Sequence, residues 1–200
     1  MPWSITVCCI SILLVLSRLC DRLLRATGTS LWGAFLFLFA LCVCEILPPI
    51  PVSPLVIIKP YATFLLLLGS AVLLARASRT ARIRALIGGI VLSLLALLIL
   101  MLLPPEASPL LIGSLPMAIV AFLCGYTADA TAVAIMLSSI IAELSYAFLE
   151  LPYFELGTSD FLDAACISGF FALILCRIFA HSPLADRRRL VASRISHIEH

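Results

Sequence analysis

The 200-residue chain is 63% hydrophobic and only 12% charged, with a net charge of +2 and a mean hydropathy of +1.20. Soluble domains carry about 25% charged residues, so the composition excludes a soluble globular enzyme and leaves no basic surface for nucleic acid. It predicts an all-α polytopic membrane bundle, with residues 1–180 as one transmembrane domain and 181–200 as a basic cytoplasmic tail.

Seven apolar runs follow in order: Trp3–Ser17, Thr29–Leu47, Tyr61–Ala75, Ala85–Leu103, Leu110–Gly125, Ala130–Leu149 and Phe161–Ala180. A helix needs ~20 residues to cross the hydrocarbon core. The first, third and fifth runs are shorter, as expected of tilted, re-entrant or partly interfacial helices. No basic residue precedes the first run and no small-x-small site follows it, so it reads as an uncleaved span.

Basic residues set the expected topology. Arg18, Arg22 and Arg25 follow run one, Arg76, Arg79, Arg82 and Arg84 follow run three, and Arg177, Arg187, Arg188, Arg189 and Arg194 end or follow run seven. If all seven runs span, twelve of the thirteen basic residues share one side and only Lys59 lies opposite. The positive-inside rule makes the arginine side cytoplasmic. The N-terminus is then outside, the C-terminus inside, and Glu45, Glu106 and the loop between runs six and seven face outward.

The outward turns resemble one another. Leu47-Pro48-Pro49 with Ser53-Pro54-Leu55 is echoed by Leu103-Pro104-Pro105 with Ser108-Pro109-Leu110, and Leu151-Pro152 opens a third turn. They read either as parallel repeats of one hairpin or as three uses of proline as a helix stop. Ile46 to Ile58 is apolar but contains four prolines, so it cannot be a regular helix. It is expected to lie in the interface or over the bundle as a lid.

The eight cysteines show no CxxC pair, and all three histidines lie in the tail. Buried apolar thiols are expected, with no metal site, no cofactor and no structural disulfide. The Arg187–Arg189 run with Arg194 is placed to set topology and to attract anionic lipid headgroups.

The chemistry-bearing stretch is Ser138 to Gly169, which holds five of the eleven acidic residues and no Lys, Arg or His. On a helix, Ser139, Glu143, Tyr146 and Glu150 fall on one face. Glu143 lies deep in an apolar run. A carboxylate there must pair, meet a wet cavity or take up a proton, which makes it a candidate site or a purely structural hydrogen-bonder. Tyr146 and Ser139 are its nearest candidate partners along the helix, and Asp163 is a candidate from run seven. Asp160 and Asp163 also suit the N-terminus of run seven, where free N–H groups attract negative charge.

The segment Gly157-Thr158-Ser159-Asp160-Phe161-Leu162-Asp163, with Gly169 beyond, resembles the C-terminal signature of an uncharacterised prokaryotic membrane family, the domain of unknown function sixteen-fourteen. Gly157, Asp163 and Gly169 keep the spacing of that Gly-Gly-Ala-Gly-x-Phe-Asp-Gly pattern and its later Gly. Ala142-Glu143-Leu144 is similar to its Gly-Ala-Asp-Leu, with Ile141 for the Gly. The internal glycines are absent and Ala164 follows the Asp. The resemblance covers the last third of the chain. It implies a multi-pass membrane protein with acidic positions of interest at Glu143 and Asp163. Gly157-Thr158-Ser159-Asp160 is also similar to the Gly-x-Gly-Asp of intramembrane aspartyl proteases, with Ser159 for the second Gly and no Tyr-Asp pair upstream.

The expected architecture is a seven-span bundle of the cell membrane with an acidic, outward-facing pocket between runs six and seven. Three functions fit: a small-solute or cation transport or permeation protein using Glu143 as a switchable charge, a non-catalytic membrane scaffold or assembly partner, and an intramembrane aspartyl hydrolase. No motif names a reaction.

Overall fold

The computed structural model describes residues 2–21, 24, 27–104, 108–149 and 152–179. Glu106, Glu150, Arg22, Arg25 and the basic tail lie outside the described residues. The protein is all-α, built from α1 (Trp3–Leu16), α2 (Leu31–Ile46), α3 (Pro60–Arg76), α4 (Arg79–Leu102), α5 (Pro109–Gly125), α6 (Ala128–Leu149) and α7 (Ser159–Phe179). Each corresponds to one apolar run. Three of them, α4, α6 and α7, are long and apolar enough to cross a membrane. The 14 residues of α1 extend only about 21 Å at 1.5 Å per residue.

Helix ends follow local chemistry. Ser30 and Ser78 cap α2 and α4 by accepting from the N–H groups of Gly33 and Ala81 at 3.0 and 3.3 Å. The Ser78 cap starts α4 six residues before the apolar run, so Arg79, Arg82 and Arg84 belong to the helix and not to a loop. Pro60 and Pro109 occupy first helical positions, where a missing N–H is harmless.

The centre of the bundle is the pairing of α4 with α6. Ala81 and Ala85 pack with Ala130 and Val133 near one end, while Leu92 and Ala96 share a cluster with Ala142 further along, so the two helices run parallel. Their approach depends on small residues: a Cβ on Gly88 would stand 3.1 Å from that of Ala134, and one on Gly89 would stand 3.1 Å from that of Leu137. Close backbone contact of this kind drives helix association where lipid removes the hydrophobic advantage of packing. Buried Ser70, Ser93, Ser114 and Ser138 donate back to carbonyls three residues earlier, and Ser168 to that of Ala164, so none is left unpaired. Leu94, Ile90 and Ile87 of α4 stay exposed on its outer face.

The apolar, proline-rich turn after α2 is not a helix, as its four prolines require. It forms an antiparallel hairpin of β1 (Ile50–Ser53) and β2 (Val56–Ile58), with a bulge between Pro51 and Ser53. The loop between α6 and α7 adds β3 (Phe154–Leu156), which pairs parallel to β2 with Val56 opposite Phe154 and Ile58 opposite Leu156. The first and third proline-containing turns thus join in one small sheet. Because α4 runs parallel to α6, Pro104 lies at that same end. The opposite end carries Arg18, Arg76, Arg79, Arg82, Arg84 and Arg177 at or beside helix termini.

Candidate functional site

Glu143 is 5% exposed and points from α6 under the sheet. One carboxylate oxygen, Oε1, accepts from the backbone N–H groups of Gly157 and Thr158 at 2.6 and 2.9 Å. The other, Oε2, accepts from the Thr63 hydroxyl of α3 at 3.1 Å. Consecutive backbone N–H groups turned toward one point form an anion seat. Gly157 makes this turn possible with φ +87, and a Cβ there would collide with the carbonyl oxygen of Lys59. One side chain therefore ties together α6, α3 and the turn between β3 and α7.

Lys59 forms the other side of the knot. Its N–H donates to the Leu156 carbonyl at 2.7 Å, extending the β2–β3 pairing. Its ammonium donates to the Glu45 carbonyl at 2.7 Å and stands 3.7 Å from the Glu45 carboxylate. The side chains of Glu45 and Lys59 are 4% and 16% exposed, so the ion pair is shielded from water.

Asp163 does not partner Glu143. It accepts from the N–H groups of Trp3 and Ser4 at 2.9 and 2.5 Å, so it caps α1 and not its own helix. Two free N–H groups and the positive end of a helix dipole attract a carboxylate from a neighbour as well as from within. Among the other expected residues, Ser139 donates to the Phe161 carbonyl at 3.3 Å and Tyr146 packs its ring 6.0 Å from that of Phe161. Both thus fasten α6 to α7. Asp160 is exposed in the first turn of α7, and Glu150 lies outside the described residues.

Glu143 and Asp163 hold different partners, and a packed seam lies between α6 and α7. Those helices meet through Ser139, Phe161, Thr131 and Cys176, whose thiol lies 3.7 Å from the Thr131 hydroxyl. A cavity lies between α1, α2, α3, α6 and α7, and no acidic residue among the described ones lines it. Thr63, Glu45 and Lys59 were not among the expected site residues. The signal for Thr63 was a hydroxyl near the start of an apolar run; for Lys59, the one lysine in a chain with twelve arginines.

Two thiols separated by 158 residues also meet: Cys8 of α1 and Cys166 of α7 stand 3.8 Å apart, sulfur to sulfur. All eight cysteines are free. Among the described residues no three His, Cys, Asp or Glu side chains are placed to hold a metal ion.

No protein-family model, curated protein or solved structure matches this chain.

Proposed function

We propose that this is a non-catalytic, seven-span protein of the cell membrane that acts as a scaffold or assembly partner. Its N-terminus is outside, and the arginine end with the C-terminus is cytoplasmic. One observation carries the reading. Glu143, Asp163 and Glu45 are each engaged in holding helices and sheet together, and none faces the cavity. A transport protein that used Glu143 as a switchable charge would need it on the solute path. A hydrolase would need two carboxylates facing one water, whereas Glu143 and Asp163 bind different partners. The spacing shared with the uncharacterised prokaryotic family fits structural duties here: Gly157 builds the turn, Asp163 caps α1 and Gly169 lines the cavity.

The experiment is a pair of substitutions at Glu143, read by a cellular phenotype and by detergent stability. In Glu143→Gln, the amide oxygen still accepts from Gly157 and Thr158, and the amide N–H₂ donates to Thr63. A scaffold then behaves as wild type. Loss of phenotype with an intact fold would overturn this reading in favour of a switchable charge. Orientation is tested separately, in a background cleared of native cysteine. Glu155→Cys should react with an impermeant thiol reagent on intact cells, and Arg79→Cys should not.

A further inference from the structure

The cavity between α1, α2, α3, α6 and α7 has a volume of about 500 Å³, within the ~300–1,000 Å³ usual for small-molecule sites. Its walls are hydrocarbon, with Leu14, Phe37, Leu73, Ile135, Phe170 and Leu173 among them. Its deep end closes under the cluster of Cys8, Leu41 and Leu66. Polar character is concentrated at the other end. There Arg76 of α3 and Arg177 of α7 border it, with the hydroxyls of Thr27, Thr29 and Ser30. Both arginines are exposed. Arg76 donates to the Gly28 carbonyl at 3.1 Å, which steadies the guanidinium and leaves its other N–H groups without a partner among the described residues. Asp21 and Asp129 lie at this end without lining the cavity.

We propose that this cavity holds one phospholipid with an anionic headgroup, an acyl chain filling the hydrocarbon depth and the phosphate at the mouth with Arg76 and Arg177. The chemistry selects the ligand. Walls that are almost all hydrocarbon, where the Ser11 hydroxyl already donates to the Val7 carbonyl, disfavour a polar metabolite, and a mouth lined by two guanidiniums and by no carboxylate among the described residues disfavours a cation. What fits is apolar along its length and anionic at one end, and guanidinium is the side chain best matched to phosphate oxygens. The proposal rests on the membrane reading above only in placing the arginine end at a headgroup layer, and the thiol labelling tests that layer by itself.

Gly169 supplies the means of testing occupancy. It lines the cavity, and a Cβ built on it meets nothing within 4 Å, so a large side chain there enters empty space. The full chain is purified in mild detergent and exposed to equal amounts of dioleoylphosphatidylglycerol and dioleoylphosphatidylcholine. Retained lipid is then counted by native mass spectrometry. One phosphatidylglycerol per chain is expected, with phosphatidylcholine lost first. Gly169→Phe should lose the retained lipid while keeping helical content and a single monodisperse species. Arg76→Gln and Arg177→Gln should each lower the preference for the anionic lipid about fivefold. Equal retention of the two lipids, or an unchanged phosphatidylglycerol count in folded Gly169→Phe, would overturn the proposal. Should Gly169→Phe fail to fold, the two arginine variants decide it alone, since an unspecific lipid coat would leave the preference unchanged.

Discussion

The two ends of this bundle use charge in opposite ways. At the sheet end, Glu143, Asp163, Glu45 and Lys59 turn inward, each satisfied by backbone groups or by one another, and the chain is knotted closed. At the arginine end the charges lie on the outside, and beside them the helices part around a cavity walled by hydrocarbon. The difference shows where rigidity is located. A buried carboxylate holding several N–H groups costs much to disturb, whereas exposed cations at helix ends contribute little to stability and much to orientation and attraction.

Breaking the knot should have the largest effect. Glu143→Lys replaces an acceptor with a donor facing three donors. The mid-span cost of such a charge alone is ~2.5–3.5 kcal/mol, so this variant is expected to fail to accumulate in membranes, as read by immunoblot. Glu143→Ala leaves the Gly157 and Thr158 N–H groups unsatisfied at about 1–3 kcal/mol each. A clear fall in the detergent unfolding midpoint should follow, while Glu143→Gln stays near wild type.

The same substitution at two glycines sharpens the contrast between the ends. Gly157→Ala forces a Cβ into left-handed backbone and against Lys59, and should destabilise by ~1–2 kcal/mol or more. Gly169→Ala at the cavity meets open space inside a helix, and should stabilise by up to ~1 kcal/mol through helix propensity. Opposite shifts in melting temperature are the expected result. Equal shifts would show that both ends are packed alike.

Asp163→Ala removes the cap from α1 at ~0.5–2 kcal/mol. Its effect should be local: hydrogen exchange should quicken at Trp3 to Val7 and stay unchanged in α4. The smallest change is expected at Ser4, whose hydroxyl is the one buried side-chain oxygen without a partner among the described residues. Ser4→Ala should be neutral or stabilising by less than about 1 kcal/mol, measured by the same unfolding midpoint.

What could be read from the residues divides along physical lines. Helices made of hydrocarbon declare themselves locally, so all seven runs correspond to helices. The main boundary error, at α4, came from reading arginines as loop when Ser78 caps them into the helix. Glu143 was visible because a carboxylate among apolar residues is conspicuous. Its partners were not, since Thr63 lies 80 residues away and the two N–H groups belong to a turn whose shape depends on Gly157. The sheet was missed for a related reason. Its strands are three or four residues long, and β2 finds β3 about a hundred residues later, a pairing no local pattern announces. For Asp163 the local choice, capping its own helix, lost to the free N–H groups of α1.

The clamp of Asp163 on α1 closes a loop of 160 residues, and this has a consequence for the order of assembly. A ribosome delivers α1 well before Asp163, which follows only after α6 has been made. Throughout that interval the amide groups of Trp3 and Ser4 have only water or lipid headgroups for partners, and α1 is too short to be held by hydrocarbon alone. The start of α1 is thus capped only once α7 is in place, and a nascent chain stalled before α7 would hold α1 through its packing on α2 without the Asp163 cap.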